Sequence, residues 1–360
     1  MSSGHVFVAM SGGVDSSVAA VLLQQAGYQL SGVNLRMFHN EDLGESPNRT
    51  CCSLSDAEDA AMVARRLGFP FYVFDFAQIF RDTVIRNFIE EYQLGRTPNP
   101  CAECNRSVKF GALLQRVRTL GGDYMATGHY ARVELDARTG RSLLKRGKDH
   151  SKDQSYFLYM LTQEELSHTL FPLGGMEKSE VRRIAETHGL VNAKKRDSQD
   201  ICFVPDGKYA DFIERTTGQP SKPGPFLDQE GRVLGQHKGI IRYTKGQHKG
   251  LGLSTEQPLY VLEKDIGANA IRLGPDSSLW SRTLTAERMN WISIPQLTEP
   301  MPVSVKTRYT QREAAAVAEP LPDGRIRVTF QEPQRAITAG QAVVLYDGDT
   351  VVGGGTICET

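Results

Sequence analysis

Apolar positions from Val6 to Met10 form one short continuous run, followed by the glycine-bearing SGGVDSS and then by SVAAVLLQQAG. The first run predicts a buried strand. The last predicts a buried helix closed by Gly27, whose missing Cβ suits a C-terminal cap. Leu30 to Phe38 reads as a second strand. Ser55, with Asp56, Glu58 and Asp59 behind it, marks a helix start whose acids sit favourably against the dipole, and Gly68 closes that helix. PFYVFDF predicts a third strand, residues 78–94 a third helix, Val108 to Leu120 a fourth, and Tyr124 to Val133 another strand. Strands alternating with helices at this spacing predict an α/β domain: an open, doubly wound parallel sheet with its ligand at the carboxyl ends of the strands.

The pattern changes after about residue 205, where Pro205, Gly207, Gly218, Pro220, Pro223, Gly224 and Pro225 punctuate the chain. Short alternating runs such as PLYVLEKD, PVSVKTRYT, RIRVTF and AVVLYDGDTVVGGG then predict β structure. The expected organisation is a catalytic α/β domain over 1–205, a small β-rich domain over 206–280, and a β-barrel-like domain over 281–360.

Composition narrows the function class. The 360 residues carry 42 Lys+Arg against 42 Asp+Glu, as expected of a globular chain. Six cysteines are too sparse for a disulfide scaffold. No window approaches the roughly 20 apolar residues of a bilayer span, so no membrane role is expected. No leader-like segment precedes HVFVAM, and a cytoplasmic protein with reduced thiols is expected. Zero net charge argues against indiscriminate nucleic-acid binding. Yet residues 231–255 hold Arg232, Lys238, Arg242, Lys245 and Lys249 with no acid, together with His237 and His248. On charge alone that window is a solvated loop face.

Three segments carry chemistry. SGGVDSS, at 11–17, stands between a strand and a helix start, where backbone N–H groups and the helix dipole can cradle phosphate. It lacks the lysine of a Walker A loop. It resembles the SGGxDS signature of the PP-loop ATP pyrophosphatases, which cleave ATP between the α and β phosphates; Asp15 is the candidate Mg²⁺-side acid. TPNPCAECN, at 97–105, places Cys101 and Cys104 in a proline-stiffened loop. Zinc shared with Cys51 and Cys52 is disfavoured, because adjacent cysteines make poor two-ligand hooks. With a helix from Val108, Cys104 falls just before a positive dipole end, which favours a thiolate nucleophile. DSQDICFVPDG, at 197–207, sets Cys202 between the cationic Lys194, Lys195 and Arg196 and the apolar Phe203 and Val204.

Taken together with ATGHYAR (126–132), SKDQSYFLY (151–159), YTKGQHKGLG (243–252) and TRYTQ (307–311), these motifs resemble the tRNA-specific 2-thiouridylases of the MnmA/TrmU family over essentially the whole chain. The resemblance implies ATP-dependent adenylation of C2 of the wobble uridine, then sulfur transfer from a cysteine persulfide. It implies ATP contacts at Ala9, Met10, Ser11, Gly12, Gly13, Val14, Asp15 and Ser16, with Leu35 (where Met is commoner) and Gly128 bordering the nucleotide. Cys202 is implied as persulfide carrier and Cys104 as the nucleophile that joins it in a transient disulfide. Cys101 stands where relatives often have Asp, and it can either assist or compete. Implied tRNA contacts are Asn99, Pro100 and Cys101 at the target base, Lys152, Asp153 and Gln154, and Arg308 and Tyr309. The basic window at 231–255 becomes a tRNA surface, with His248 where Arg is common. The implied partners are tRNAs with a wobble uridine (Lys, Glu and Gln acceptors) and a sulfur-relay protein or cysteine desulfurase. The competing expectations are an amidating or ligating PP-loop enzyme, an Fe–S cluster on Cys101, Cys104 and Cys202, and a tRNA-binding protein with an idle loop.

Overall fold

The computed structural model describes residues 4–38, 54–195 and 201–360; Cys51, Cys52, Arg196 and residues 197–200 lie outside them. Strands β1 (His5–Ala9), β2 (Gln29–Arg36), β3 (Phe71–Asp75) and β4 (Tyr124–Ala126) form a parallel sheet in the order β3-β2-β1-β4, extended by the short strand Thr169–Leu170. Chain order reverses between β1 and β4, so the crevice at their carboxyl ends is the position where such sheets bind ligands. Helix α1 (Val14–Gln25) follows β1 and packs on the sheet and on the helix Lys178–Thr187. Its Val18, Ala19, Ala20 and Val21 are buried, which explains why this stretch is apolar all round rather than along one stripe. Helix α2 (Leu54–Leu67) ends where Gly68 donates its N–H to Ala64 O at 2.9 Å.

Two elements depart from expectation. The stretch Tyr124–Val133 is not one strand. After β4 the chain turns at Gly128, where an added Cβ would lie 2.7 Å from Ser16 N. Ala131–Leu135 then pairs antiparallel with Ser142–Arg146, a hairpin that meets the C-terminal sheet at Lys145 opposite Thr350. Both halves contribute buried side chains, so hydrophobicity runs through the break. The fourth helix, α4, starts at Pro100 rather than Val108. It runs through Pro100–Cys104, a wider-wound stretch Asn105–Leu113, and Leu114–Thr119. Asn99 caps it by accepting the Ala102 N–H at 3.2 Å, and Pro100 occupies the first helical position, where a missing N–H costs nothing. The helix α3 is likewise wider-wound in its middle, over Ala77–Phe80, Arg81–Ile85 and Arg86–Gln93.

Six strands from Trp280–Trp291 to Thr350–Glu359 form an antiparallel barrel, closed because the first also pairs with the last. Val303, Val305, Ala316, Ala318, Val328 and Phe330 alternate into its core. In chain order between the α/β domain and the barrel comes a four-stranded sheet cored by Phe226, Tyr243, Val261, Ile271 and Leu273.

At the seam between this middle sheet and α3, the Lys264 ammonium donates to Tyr243 O at 3.1 Å and lies 6.0 Å from the Tyr92 ring centre. Burial pushes its pKa from 10.5 down to about 8. The folded state thus resists the charge. Lys264 opposes folding in full below about pH 8, and the penalty is relieved as pH rises toward the unfolded value. Lys264→Met should therefore raise the melting temperature clearly near pH 7 and much less near pH 10. Equal shifts in paired thermal scans would trace the effect to packing instead of charge.

Candidate active site

The nucleotide loop is built from its root outward. Met10 is buried; its N–H donates to Val33 O at 2.7 Å, and its carbonyl accepts from Asn34 Nδ2 at 2.8 Å. Gly12 has φ +76°, and a Cβ there would lie 2.2 Å from Asp56 O; glycine is required twice over. Gly13 is the N-cap residue of α1 and has no side chain to satisfy the first-turn N–H groups. The carbonyls are held on the other side. Asn192 Nδ2 reaches Gly12 O at 3.0 Å, Gly13 O at 3.2 Å and Ser17 Oγ at 2.9 Å, while the Ser16 and Ser17 hydroxyls donate to Gly13 O. Lys195 Nζ lies 3.4 Å from Gly12 O and pairs with Asp56 at 2.5 Å and Asp59 at 2.7 Å. With its carbonyls drawn back, the loop can present N–H groups and the helix dipole to phosphate. Gly128 lies directly against this first turn, and Leu35 is buried near the carboxyl end of β2. Asn192 was not anticipated, and Lys195 was expected only as a cation beside Cys202, because an amide and an amine far along the chain carry no local motif for the loop.

Asp15 is already engaged. Lys178 Nζ lies 2.7 and 2.8 Å from its two oxygens, and the Tyr130 hydroxyl donates to one of them at 2.8 Å. Among the described residues no three His, Cys, Asp or Glu side chains gather to hold a metal ion. A Mg²⁺ ion held by Asp15 does not fit this arrangement.

Cys104 is the fifth residue of α4 and is buried, its Sγ 3.9 Å from Met37 Sδ. It does not precede the helix. Because α4 begins at Pro100, the exposed Cys101 occupies the first turn near the dipole end. Cys202 is half-buried and packs on the same apolar cluster to which Cys104 belongs. Its neighbour Phe203 anchors the segment, with ring centres 5.6 Å from Phe80, 5.1 Å from Phe88 and 5.3 Å from Phe212. Cys101 is exposed, Cys104 buried and Cys202 half-buried. Among the described residues they do not form a metal-holding group.

The segments expected to meet tRNA are tied together by the barrel. Thr97 N–H donates to Ala339 O at 3.0 Å, and Gln341 Nε2 donates to Thr97 O at 2.8 Å. Arg308 Nη2 donates to Ala336 O at 2.7 Å and Thr338 Oγ1 at 2.8 Å, bracing that same loop. The Tyr309 ring packs on Phe157 at 4.5 Å, and Phe157 O accepts from Asn105 of α4. Asp153 is buried, accepting N–H groups from Gly147 and Ser155, and Gln154 Oε1 accepts the Tyr130 N–H. The basic window needs correction. Arg242 is paired with Asp211 and Glu214, each at 2.7 Å, and Arg232 with Asp228 and Glu230. Acids from outside the window thus neutralise part of it.

Comparison with known proteins agrees along the chain. Residues 4–206 match the family described as tRNA methyl transferase HUP domain, 210–275 the tRNA methyl transferase PRC-barrel domain, and 281–357 the aminomethyltransferase β-barrel domain. The chain is 50% identical to tRNA-specific 2-thiouridylase MnmA 1 of Caldanaerobacter subterraneus subsp. tengcongensis, covering 99% of this chain and 98% of the relative. It is 50% identical to tRNA-specific 2-thiouridylase MnmA of Acetivibrio thermocellus, covering 99% and 100%. For the same-named protein of Moorella thermoacetica the identity is 53%, covering 97% and 98%.

Gly128→Ala would press a methyl group onto the first turn of α1. ATP-analogue affinity should fall roughly tenfold, on the scale of about 1–3 kcal/mol for overpacking a tight site. Equilibrium binding measures this, and an unchanged dissociation constant would remove Gly128 from the nucleotide's border.

Proposed function

The chain belongs to the tRNA-specific 2-thiouridylase family, and from that membership we propose that it replaces the C2 oxygen of a tRNA wobble uridine with sulfur, as an ATP-dependent sulfurtransferase. The observation that carries the reading is the joining of two devices in one fold. A strand, glycine loop and helix form an anion cradle, and Cys104 and Cys202 share one apolar cluster at the edge of the same domain.

The chemistry requires both. A uracil C2 carbonyl has a poor leaving oxygen. Attack of that oxygen on the ATP α-phosphorus releases pyrophosphate and leaves AMP attached as a good leaving group. A persulfide on Cys202 supplies the sulfur: its terminal sulfur attacks C2 and expels AMP. Cys104 then attacks Cys202 Sγ, breaking the S–S bond, freeing the thiouridine and closing the Cys104–Cys202 disulfide. Alternatively, Cys104 first cleaves the persulfide and releases hydrosulfide, which attacks C2 directly. Burial of Cys104 restricts its encounter to a segment that is itself seated on the cluster.

Asn99, Pro100 and Cys101 stand at the start of α4 to receive the displaced base, and Asn99 is oriented by its cap bond. Lys152 and Gln154, with Arg308 and Tyr309, extend the tRNA surface, and the buried Asp153 between them braces the turn. Mg²⁺ neutralises phosphate charge when it arrives with the nucleotide, and no step here assigns it a protein ligand. The partners are wobble-uridine tRNAs of the Lys, Glu and Gln acceptors and a sulfur-relay protein or cysteine desulfurase, in the cytoplasm. Among the described residues no helix is long and apolar enough to cross a membrane.

Anaerobic turnover with ATP, unmodified tRNA and a persulfide-generating donor should yield thiouridine matched by pyrophosphate. Cys104→Ser and Cys202→Ser should each lower thiouridine formation by at least about a hundredfold, the scale of losing a reacting group. Full activity in either variant would break the two-cysteine scheme.

A further inference from the structure

Asp15 lies in the first turn of α1, and its two donors lead away to the same place. Tyr130, whose hydroxyl donates to Asp15, is held through its main chain by Gln154: Tyr130 N–H donates to Gln154 Oε1 at 3.1 Å, and Gln154 N–H donates to Tyr130 O at 2.9 Å. Lys178, whose ammonium pairs with Asp15, donates its main-chain N–H to Asp149 Oδ2 at 3.0 Å. Asp149 in turn organises the intervening turn. Its carbonyl accepts the Lys152 N–H at 3.0 Å, and its Oδ1 accepts Ser151 N–H at 3.0 Å and Oγ–H at 2.6 Å.

The bonds therefore close a ring: Asp15, Tyr130, Gln154, the turn back to Asp149, Lys178 and Asp15 again. Tyr130, Asp149 and Lys178 are buried, so water cannot readily replace a broken member, and leaving a buried polar group unsatisfied is costly. Gly128 adds a steric link on the same side, because a Cβ there would lie 2.7 Å from Ser16 N and 2.8 Å from the Asp15 carbonyl carbon. One arc of the ring is the nucleotide loop. The opposite arc is the 149–154 turn.

We infer that this ring couples the two substrate sites, so that ATP on the loop and tRNA on the 152–154 turn bind with positive cooperativity, with Tyr130 and Lys178 as positioning residues. The inference rests on the proposed contact between tRNA and residues 152–154. The sign follows from ordering. Whichever substrate binds first fixes the ring's geometry, and the second no longer bears that cost. The consequence for the reaction is economy of ATP: the nucleotide is held more tightly where an acceptor tRNA is in place.

The test is equilibrium binding of a non-hydrolysable α,β-methylene ATP analogue to the full chain, with and without saturating unmodified tRNA. In the wild-type protein tRNA should tighten the analogue by on the order of fivefold or more, and the analogue should tighten tRNA by the same factor. Tyr130→Phe keeps the ring's packing and removes the hydroxyl that donates to Asp15; Lys178→Met removes the ammonium that pairs with it. In each the coupling factor should fall below about twofold, a loss read as a ratio of affinities and distinct from a general loss of binding. Wild-type coupling retained in either variant, or a factor of one in the wild type, overturns the inference. Lys152→Glu separates it from the reading beneath it. Unchanged tRNA affinity in Lys152→Glu would remove the contact itself. Weakened tRNA binding there, with coupling intact in Tyr130→Phe, would leave the contact and defeat the ring.

Discussion

The nucleotide loop offers an anion main-chain N–H groups and the end of a helix dipole, and those donors point outward only if the loop's carbonyls are held inward. That constraint organises the α/β domain. Asn34 takes the carbonyl of Met10, and Asn192 takes those of Gly12 and Gly13, while Lys195 reaches Gly12 O from its ion pairs with α2. Asn34 comes from β2, and Asn192 and Lys195 from one turn far along the chain, so the loop's shape is a product of the assembled domain. A glycine-rich turn without such partners would be free to turn its carbonyls outward and repel phosphate. Glycine at 12 and 128 is the other half of the constraint, because the α2 backbone and the first turn of α1 approach too closely for a Cβ.

The same logic extends to the barrel. It is far from the nucleotide in sequence, yet its 336–341 loop bonds to Thr97 and Pro98, immediately ahead of the Asn99 cap. Arg308 bonds to that loop from another strand end. Ala336 is held at φ +53° within it, a conformation that costs a non-glycine residue free energy and persists only when its surroundings demand it. The start of α4, where Cys101 and Cys104 sit, is thus set by two domains together. The resemblance of Arg308 to a tRNA contact and its internal bonds are compatible: a guanidinium fastened inside the protein fixes where the adjacent Tyr309 presents its ring.

Much of this was legible from residue order. Apolar runs and their glycine stops located the strands and most helices, because burial on both faces of a parallel sheet leaves continuous hydrophobic stretches and a helix must end where its hydrogen bonds run out. Two misplacements have definite causes. The TPNP segment resembled a loop because proline usually ends helices, but Pro100 is in the one helical position that needs no N–H. Tyr124–Val133 resembled one strand because both halves are buried, and only the approach of Gly128 to α1 forces the turn between them.

What the sequence by itself determined was the inventory: a glycine turn between strand and helix, cysteines in two segments, a change to β architecture, and a family resemblance spanning all of it. These are properties of neighbours along the chain, where spacing and residue type suffice. What only the tertiary structure decided was how charge and hydrogen-bonding capacity are spent. Asp15 is claimed by Lys178 and Tyr130, Arg242 by Asp211 and Glu214, and Gln154 by Tyr130. The physical reason is that polar interactions fall off within a few ångströms, so a residue's partner is fixed by distance in space, which folding sets and sequence separation does not record.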